Sequence, residues 1–156
     1  MPIIVNDIEI TDEEVFSEMQ YHSASSAEEA QYKAALALTI RELLLQEAAR
    51  LDISAPDNSS TQEIEEDYKI SRLLEQEVIT PEADEISCQR YYDQNQKTFR
   101  DKEGNPVAFE HVQPTIAAYL KEVSWQTATK QYLKIITGKS NISGIHLEST
   151  DSPLVQ

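Results

Sequence analysis

Cysteine is almost absent from this chain: Cys88 stands alone among 156 residues. A lone cysteine forms no internal disulfide and excludes a cysteine-cluster zinc site. Glycine is nearly as scarce, limited to Gly104, Gly138 and Gly144, which leaves no glycine-rich phosphate loop. Neither a G-x-S-x-G nucleophile turn nor an HExxH metal pattern occurs. No apolar run approaches the ~20 residues that a membrane-spanning helix needs. The opening residues, Met1 to Asp7, lack a basic region, a long apolar stretch and a small-residue cleavage site. That start predicts a cytoplasmic protein, although a periplasmic chain whose leader had been removed would read the same way. Basic residues are also few, 13 against 28 acids for a net charge of −15. An acidic body repels phosphates and argues against nucleic acid as a partner.

The acid surplus is uneven. Residues 1–78 hold 18 acids and 5 bases, and residues 79–156 hold 10 and 8. One reading is solvated helix faces that keep the protein soluble. The other is a surface that attracts basic clients. Hydrophobic residues make up 40% of the chain, enough for one core at this length and too little for two comfortable domains.

Residues 3–10, Ile-Ile-Val-Asn-Asp-Ile-Glu-Ile, predict a small hairpin, because Asn6 and Asp7 tolerate the positive φ of a tight turn. Thr11-Asp12-Glu13-Glu14 reads as a capping box at a helix start, and the same signature recurs at Ser26–Glu29 and Ser60–Glu63. After Ser26, Ala30, Ala34, Ala37, Leu38, Leu44 (or Leu45), Ala48 and Leu51 fall at helical spacing, with Leu36, Ile40 and Leu43 in a second row. A helix apolar on two rows needs cover on both sides, so this one is expected at the centre. A loop around Pro56 leads to a helix over about 61–79, with Ile64, Tyr68, Leu73, Leu74 and Val78 facing inward. Pro81 suits the first turn of a fourth helix, carrying Ile86, Cys88, Tyr91 and Tyr92 and fading near Asn95. The polar stretch 100–106 reads as a linker. A long last helix carries Phe109, Val112, Ile116, Leu120 and Val123, then Trp125, Tyr132, Leu133 and Ile136. It starts close before Pro114 or bends there, and Gly138 suits its C-cap. Residues 142–147 predict a short strand pairing with the hairpin. The tail, 149–156, is expected to be disordered.

Reactive constellations are missing. His22, His111 and His146 fall in different elements and none pairs with a second ligand at metal spacing, so no metal and no cofactor is expected. Runs such as Glu65-Glu66-Asp67 point to different helix faces and read as surface. Cys88 reads as a small buried hydrophobe rather than a catalytic thiol. The aromatic residues Tyr91, Tyr92 and Phe99, with Trp125 and Tyr132 one helical row apart, admit two readings. They are either helix packing or an apolar lining for bound peptide, since tyrosine joins contact area to a polar tip.

The stretch Arg41-Glu42-Leu43-Leu44-Leu45-Gln46-Glu47-Ala48-Ala49 resembles the helix that precedes the isomerase module in SurA-like chaperones and parvulin foldases. Leu73-Leu74-Glu75-Gln76-Glu77-Val78, then Pro81, Glu85 and Cys88-Gln89-Arg90-Tyr91-Tyr92-Asp93, is similar to the segment leading into that module in intracellular parvulins, including the nitrogenase-accessory type. Phe109-Glu110-His111-Val112, Ile116-Ala117-Ala118-Tyr119-Leu120 and Ile142-Ser143-Gly144-Ile145 resemble the helix and strand that follow it. These matches cover most of residues 3–147 and are patterns of packing. Between them the family places a whole parvulin domain, whereas here nine residues separate Phe99 from Phe109. Isomerase activity is therefore not implied. The resemblance implies an all-α, SurA-like helical domain over 1–148, with a long C-terminal helix and a minimal sheet of hairpin plus C-terminal strand. It also implies a non-catalytic, chaperone-like role: holding unfolded or partly folded clients between helices, with no nucleic acid and no membrane involved. Candidate lining residues are Tyr91, Tyr92, Phe99, Trp125 and Tyr132. The rival reading is an assembly or scaffold factor for one specific partner, such as a metalloenzyme under maturation. The short polar linker ahead of a long amphipathic helix further predicts a homodimer, either with that helix folded back on its own chain or with it exchanged between the two.

Overall fold

The computed structural model describes residues 2–57 and 60–147. It is 62% helical with a small antiparallel sheet, as the helical periodicities predict. The expected tail, 149–156, lies outside the described residues.

The chain divides into two compact units, one of residues 1–78 with 129–156, the other of residues 79–128. In the first unit, β1 (Ile3–Val5) and β2 (Ile8–Ile10) pair with Ile3 opposite Ile10 and Val5 opposite Ile8. The turn between them works because Asn6 and Asp7 adopt φ of 49° and 74°, the conformation that a two-residue hairpin of this hand requires. β3 (Ile142–Ser143) joins the other edge of β1, giving the order β2-β1-β3. The pairing with the hairpin is as expected, but the strand stops at Ser143 instead of Leu147. Gly144 ends it, with φ of +87° and a backbone so close that an added Cβ would lie 2.4 Å from the Pro2 carbonyl oxygen. Asn6 fastens the junction: its N–H donates to the Asn141 carbonyl at 2.8 Å, and its Oδ1 accepts from the Asn141 N–H at 2.7 Å.

α1 (Asp12–Glu18) opens with the predicted capping box. Thr11 Oγ1 accepts from the Glu14 N–H, and the Glu14 carboxylate accepts from the Thr11 N–H at 2.7 Å. After a 3-10 turn at Met19–Tyr21 comes α2 (Ala27–Arg50), the central helix, which packs against α1, β1 and α3 (Gln62–Glu77). Its buried residues, Ala34, Ala35, Leu36, Thr39, Ile40, Leu43, Leu44 and Ala48, span too wide an arc for one stripe, which is why it needs cover on several sides. Thr39 satisfies its hydroxyl locally, donating to the Ala35 carbonyl at 2.7 Å. Arg41 ties α2 to α3 through Glu66 at 3.1 Å and Asp67 at 2.9 Å.

Three helix starts differ from expectation. At α2, Ser26 caps the helix, but the Glu29 carboxylate accepts from Ser25 and not from the Ser26 N–H, so the box is not closed. α3 is capped by Thr61, one residue after Ser60, so the third residue inside the helix is Ile64 and no box can form. Leu73 is the buried residue of this helix, and Ile64 and Tyr68, expected inward, are exposed. α4 (Glu85–Gln94) starts four residues beyond Pro81, because Asp84 accepts from the Ser87 N–H at 2.7 Å and caps the helix there.

The second unit holds α4 and the first part of α5 (Phe109–Gly138); residues 129–138 of α5 belong to the first unit. Among the described residues, Cys88 and Ile116 are its buried apolar residues, and Ile86 on the same helix as Cys88 is 71% exposed. The stretch 100–106 is a closed turn: the Asp101 carboxylate accepts from the Glu103 and Asn105 N–H groups, and the Val107 N–H donates to the Phe99 carbonyl. Pro114 is the sixth residue of α5, past the first turn, so the helix forgoes one i→i−4 hydrogen bond there. Gly138 is the last helical residue of α5, with no positive φ, and so is not a left-handed cap.

Candidate functional site

Three of the five candidate aromatic residues come together. In the second unit the Phe99 ring stacks on Tyr92, with centroids 5.5 Å apart, and meets Tyr91 edge-on at 6.0 Å. Phe109 joins against Tyr92 at 5.6 Å and Tyr119 against Tyr91 at 5.4 Å. Spacing produces this: Tyr91 and Tyr92 are neighbours on α4, and the closed turn 100–106 returns the chain so that Phe99 and Phe109 reach the same rings. The Tyr92 hydroxyl donates to the Val107 carbonyl at 2.6 Å, which fixes the cluster to the turn. All three residues are half-buried, and the exposed member is Tyr119. Trp125 is half-buried further along α5 and is not one of the stacked rings.

Tyr132 belongs to the first unit and packs against its core. Its hydroxyl and that of Thr129, one turn earlier, are buried without a hydrogen-bond partner. Burial, followed by the Glu47 and Glu77 carboxylates, pushes the Tyr132 phenol up to about 12. Its polar tip is therefore enclosed and not offered to a ligand.

The first unit carries a groove that the sequence reading did not single out. Its volume is about 480 Å³, and it lies between α1, the start of α2 and the sheet. Ile3, Val15 and Ala35, all buried core residues, form its floor, and Met19 and Phe16 line it above them. Phe16 is 76% exposed. The reason is geometric: successive residues on a helix point about 100° apart, so a seven-residue helix that buries Val15 turns Phe16 outward. Asp12, Glu28 and Gln31 are the polar side chains of the lining. A second groove, also about 480 Å³, runs along the other flank of α1 beside Glu13, Glu14, Glu18 and Tyr21. The available signal was Phe16 itself, a large aromatic next to the one inward position of a short helix.

One wall of the Phe16 groove is held firmly. Ser26 caps α2 by accepting from the Glu29 N–H, while the Glu29 carboxylate reaches past it to the Ser25 N–H at 2.8 Å and hydroxyl at 2.6 Å. Those two bonds, aided by Lys33, hold the Glu29 carboxyl at about 2. Lys33 Nζ also donates to the Ser23 carbonyl at 2.7 Å. The entry to α2, which forms the groove's edge, is thus pinned from both sides.

Among the described residues, no group of three His, Cys, Asp or Glu side chains is placed to hold a metal ion. Nor is any helix among them long and apolar enough to cross a membrane. His22 Nε2 lies 3.2 Å from Glu18 Oε1, an i, i+4 contact on one short stretch. Compared with known proteins, the chain matches no family model, no curated protein and no solved structure.

Proposed function

We propose that the protein binds polypeptide without changing it covalently, as a chaperone-like helical domain of the SurA type that lacks an isomerase module. The observation that carries this reading is the Phe16 groove: apolar at the floor, about 480 Å³ in volume, with a large aromatic ring 76% exposed at its lip. Leaving a phenylalanine in water forgoes roughly 2 kcal/mol of burial. An extended or helical segment laid along α1 would recover that by placing an apolar side chain against the ring, the way amphipathic segments seat in grooves elsewhere. The pinned entry to α2 supports this, because a preformed wall loses little conformational freedom on binding.

The aromatic cluster of the second unit suits a different role. Its rings spend their faces on one another and the Tyr92 hydroxyl is used, so Tyr91, Tyr92 and Phe99 hold α4, the turn and α5 together, leaving Tyr119 as the exposed edge.

The test is binding of a fluorescent, permanently unfolded reporter polypeptide to the intact protein. Phe16→Ala should weaken it at least tenfold, since truncating an anchor residue costs on the order of 2 kcal/mol, while Tyr91→Ala should not lower affinity through direct contact. Unchanged affinity in Phe16→Ala, with a circular-dichroism spectrum like the parent's, would overturn the assignment.

A further inference from the structure

Among the described residues, the lining of the Phe16 groove combines an apolar floor with carboxylates and holds neither lysine nor arginine. Asp12 and Glu28 both line it, one in the first turn of α1 and the other in the first turn of α2. The surroundings carry the same sign. Residues 1–32 contain eight acids and neither lysine nor arginine, and the groove on the opposite flank of α1 is lined by Glu13, Glu14 and Glu18. Lys33, the first cation in the chain, has its ammonium occupied by the Ser23 carbonyl and by Glu29 at 3.4 Å. The potential over this face is therefore negative, and at physiological salt it reaches about 8 Å into solvent before it is screened.

We infer that the occupant of the Phe16 groove is a cationic amphipathic segment of another protein, with lysine or arginine flanking one large apolar side chain. This rests on the polypeptide-binding reading above and specifies its partner. The apolar side chain sits against Phe16, Val15 and Met19. A flanking cation faces the exposed Glu28 carboxylate, within the negative field of the surrounding acids. Opposite charge across such a site raises the association rate and selects among partners more than it deepens affinity. An acidic segment would meet like charge on both rims. Charge complementarity also disfavours the chain's own residues 148–156, which carry two acids and no base, and a second copy, which brings another net charge of −15.

Three 12-residue fluorescent peptides with one shared apolar pattern test this, their charged positions filled by lysine, glutamine or glutamate. With the intact protein in 50 mM salt, the lysine peptide should bind at least tenfold more tightly than the glutamine peptide, and the glutamate peptide most weakly. The lysine advantage should fall several-fold by 500 mM salt. Glu28→Lys should weaken the lysine peptide and strengthen the glutamate peptide, a crossover that loss of folding cannot produce, and Glu28→Gln should fall between. Glutamine and glutamate peptides binding as tightly as lysine would overturn the charge inference while leaving polypeptide binding in place. No binding by any of the three would overturn both. A photoreactive benzoylphenylalanine at position 16 locates the occupant: crosslinks to the added lysine peptide support the inference, and crosslinks mainly to residues 148–156 or to a second copy overturn it.

Discussion

Two tyrosines show how the same hydroxyl can help or harm depending on what surrounds it. Tyr92 donates to the Val107 carbonyl at 2.6 Å, whereas the Tyr132 hydroxyl is buried with no partner. A made hydrogen bond contributes about 1 kcal/mol net, and a buried unmade one costs a similar amount or more. Tyr92→Phe should therefore destabilise by about 1 kcal/mol, and Tyr132→Phe should leave stability unchanged or raise it. Urea unfolding of the two variants beside the parent measures both signs in one experiment. Glu29 makes a prediction about pH. Its carboxyl is held at about 2, against an ordinary value of 4.5, chiefly by the Ser25 hydroxyl and N–H. A carboxyl whose folded value is depressed contributes stability above its unfolded value and loses that contribution as pH falls through the folded one. The melting-temperature gap between the parent and Glu29→Gln should be constant above about pH 5 and close between about pH 4.5 and 2. A gap that persists at pH 2 would show that the Ser25 contacts do not depend on charge.

Helices are where the sequence is most readable, and their starts show why. Thr11 and Ser26 were identifiable as caps because a short oxygen-bearing side chain precedes an apolar pattern at the correct spacing, and each accepts the bond expected of it. At Ser60-Thr61 two equivalent caps stand side by side, and the helix uses the second. Local sequence chemistry does not choose between them. Pro81 misled for a related reason. A proline fits a first turn but does not compel one, and Asp84 offers the side-chain acceptor that proline lacks. In the candidate site, the aromatic cluster was legible because Tyr91, Tyr92 and Phe99 are close in sequence. Tyr132 was grouped with them by helical spacing alone, yet α5 is 30 residues long and its far end belongs to a different unit. The Phe16 groove was not legible, because its walls come from residues 3, 12–19, 27–35 and 144, and only folding brings those segments together.

Taken as a molecule, the two units are unequally supported. The first gathers its buried core from the sheet, α1, α2, α3 and the end of α5, whereas among the second unit's described residues the fully buried apolar side chains are Cys88 and Ile116. Segments with little buried apolar surface open at lower free energy than the core. Cys88 is the one cysteine of the chain and 1% exposed, so thiol labelling reports opening of the second unit. In a guanidinium series, Cys88 should become labelled at lower denaturant than the main loss of helical signal. Coincident transitions would mean that the chain unfolds as one cooperative body.

The pairing of Val5 with Ile142 has a consequence for the newborn chain. One edge of β1 is satisfied by β2 almost as soon as it is made. The other waits until residues 142–143 have been translated, roughly ten seconds later at ribosomal speeds of about 5–20 residues per second. Throughout that interval the first unit stays unfinished, with the backbone donors and acceptors of that edge facing solvent, and even the whole of the second unit, 79–128, is made before the edge can close. Exposed strand edges of this kind recruit other chains. Any product released before Ile142 keeps its edge open for good, so the last few residues of the sheet act as the seal on everything synthesised before them.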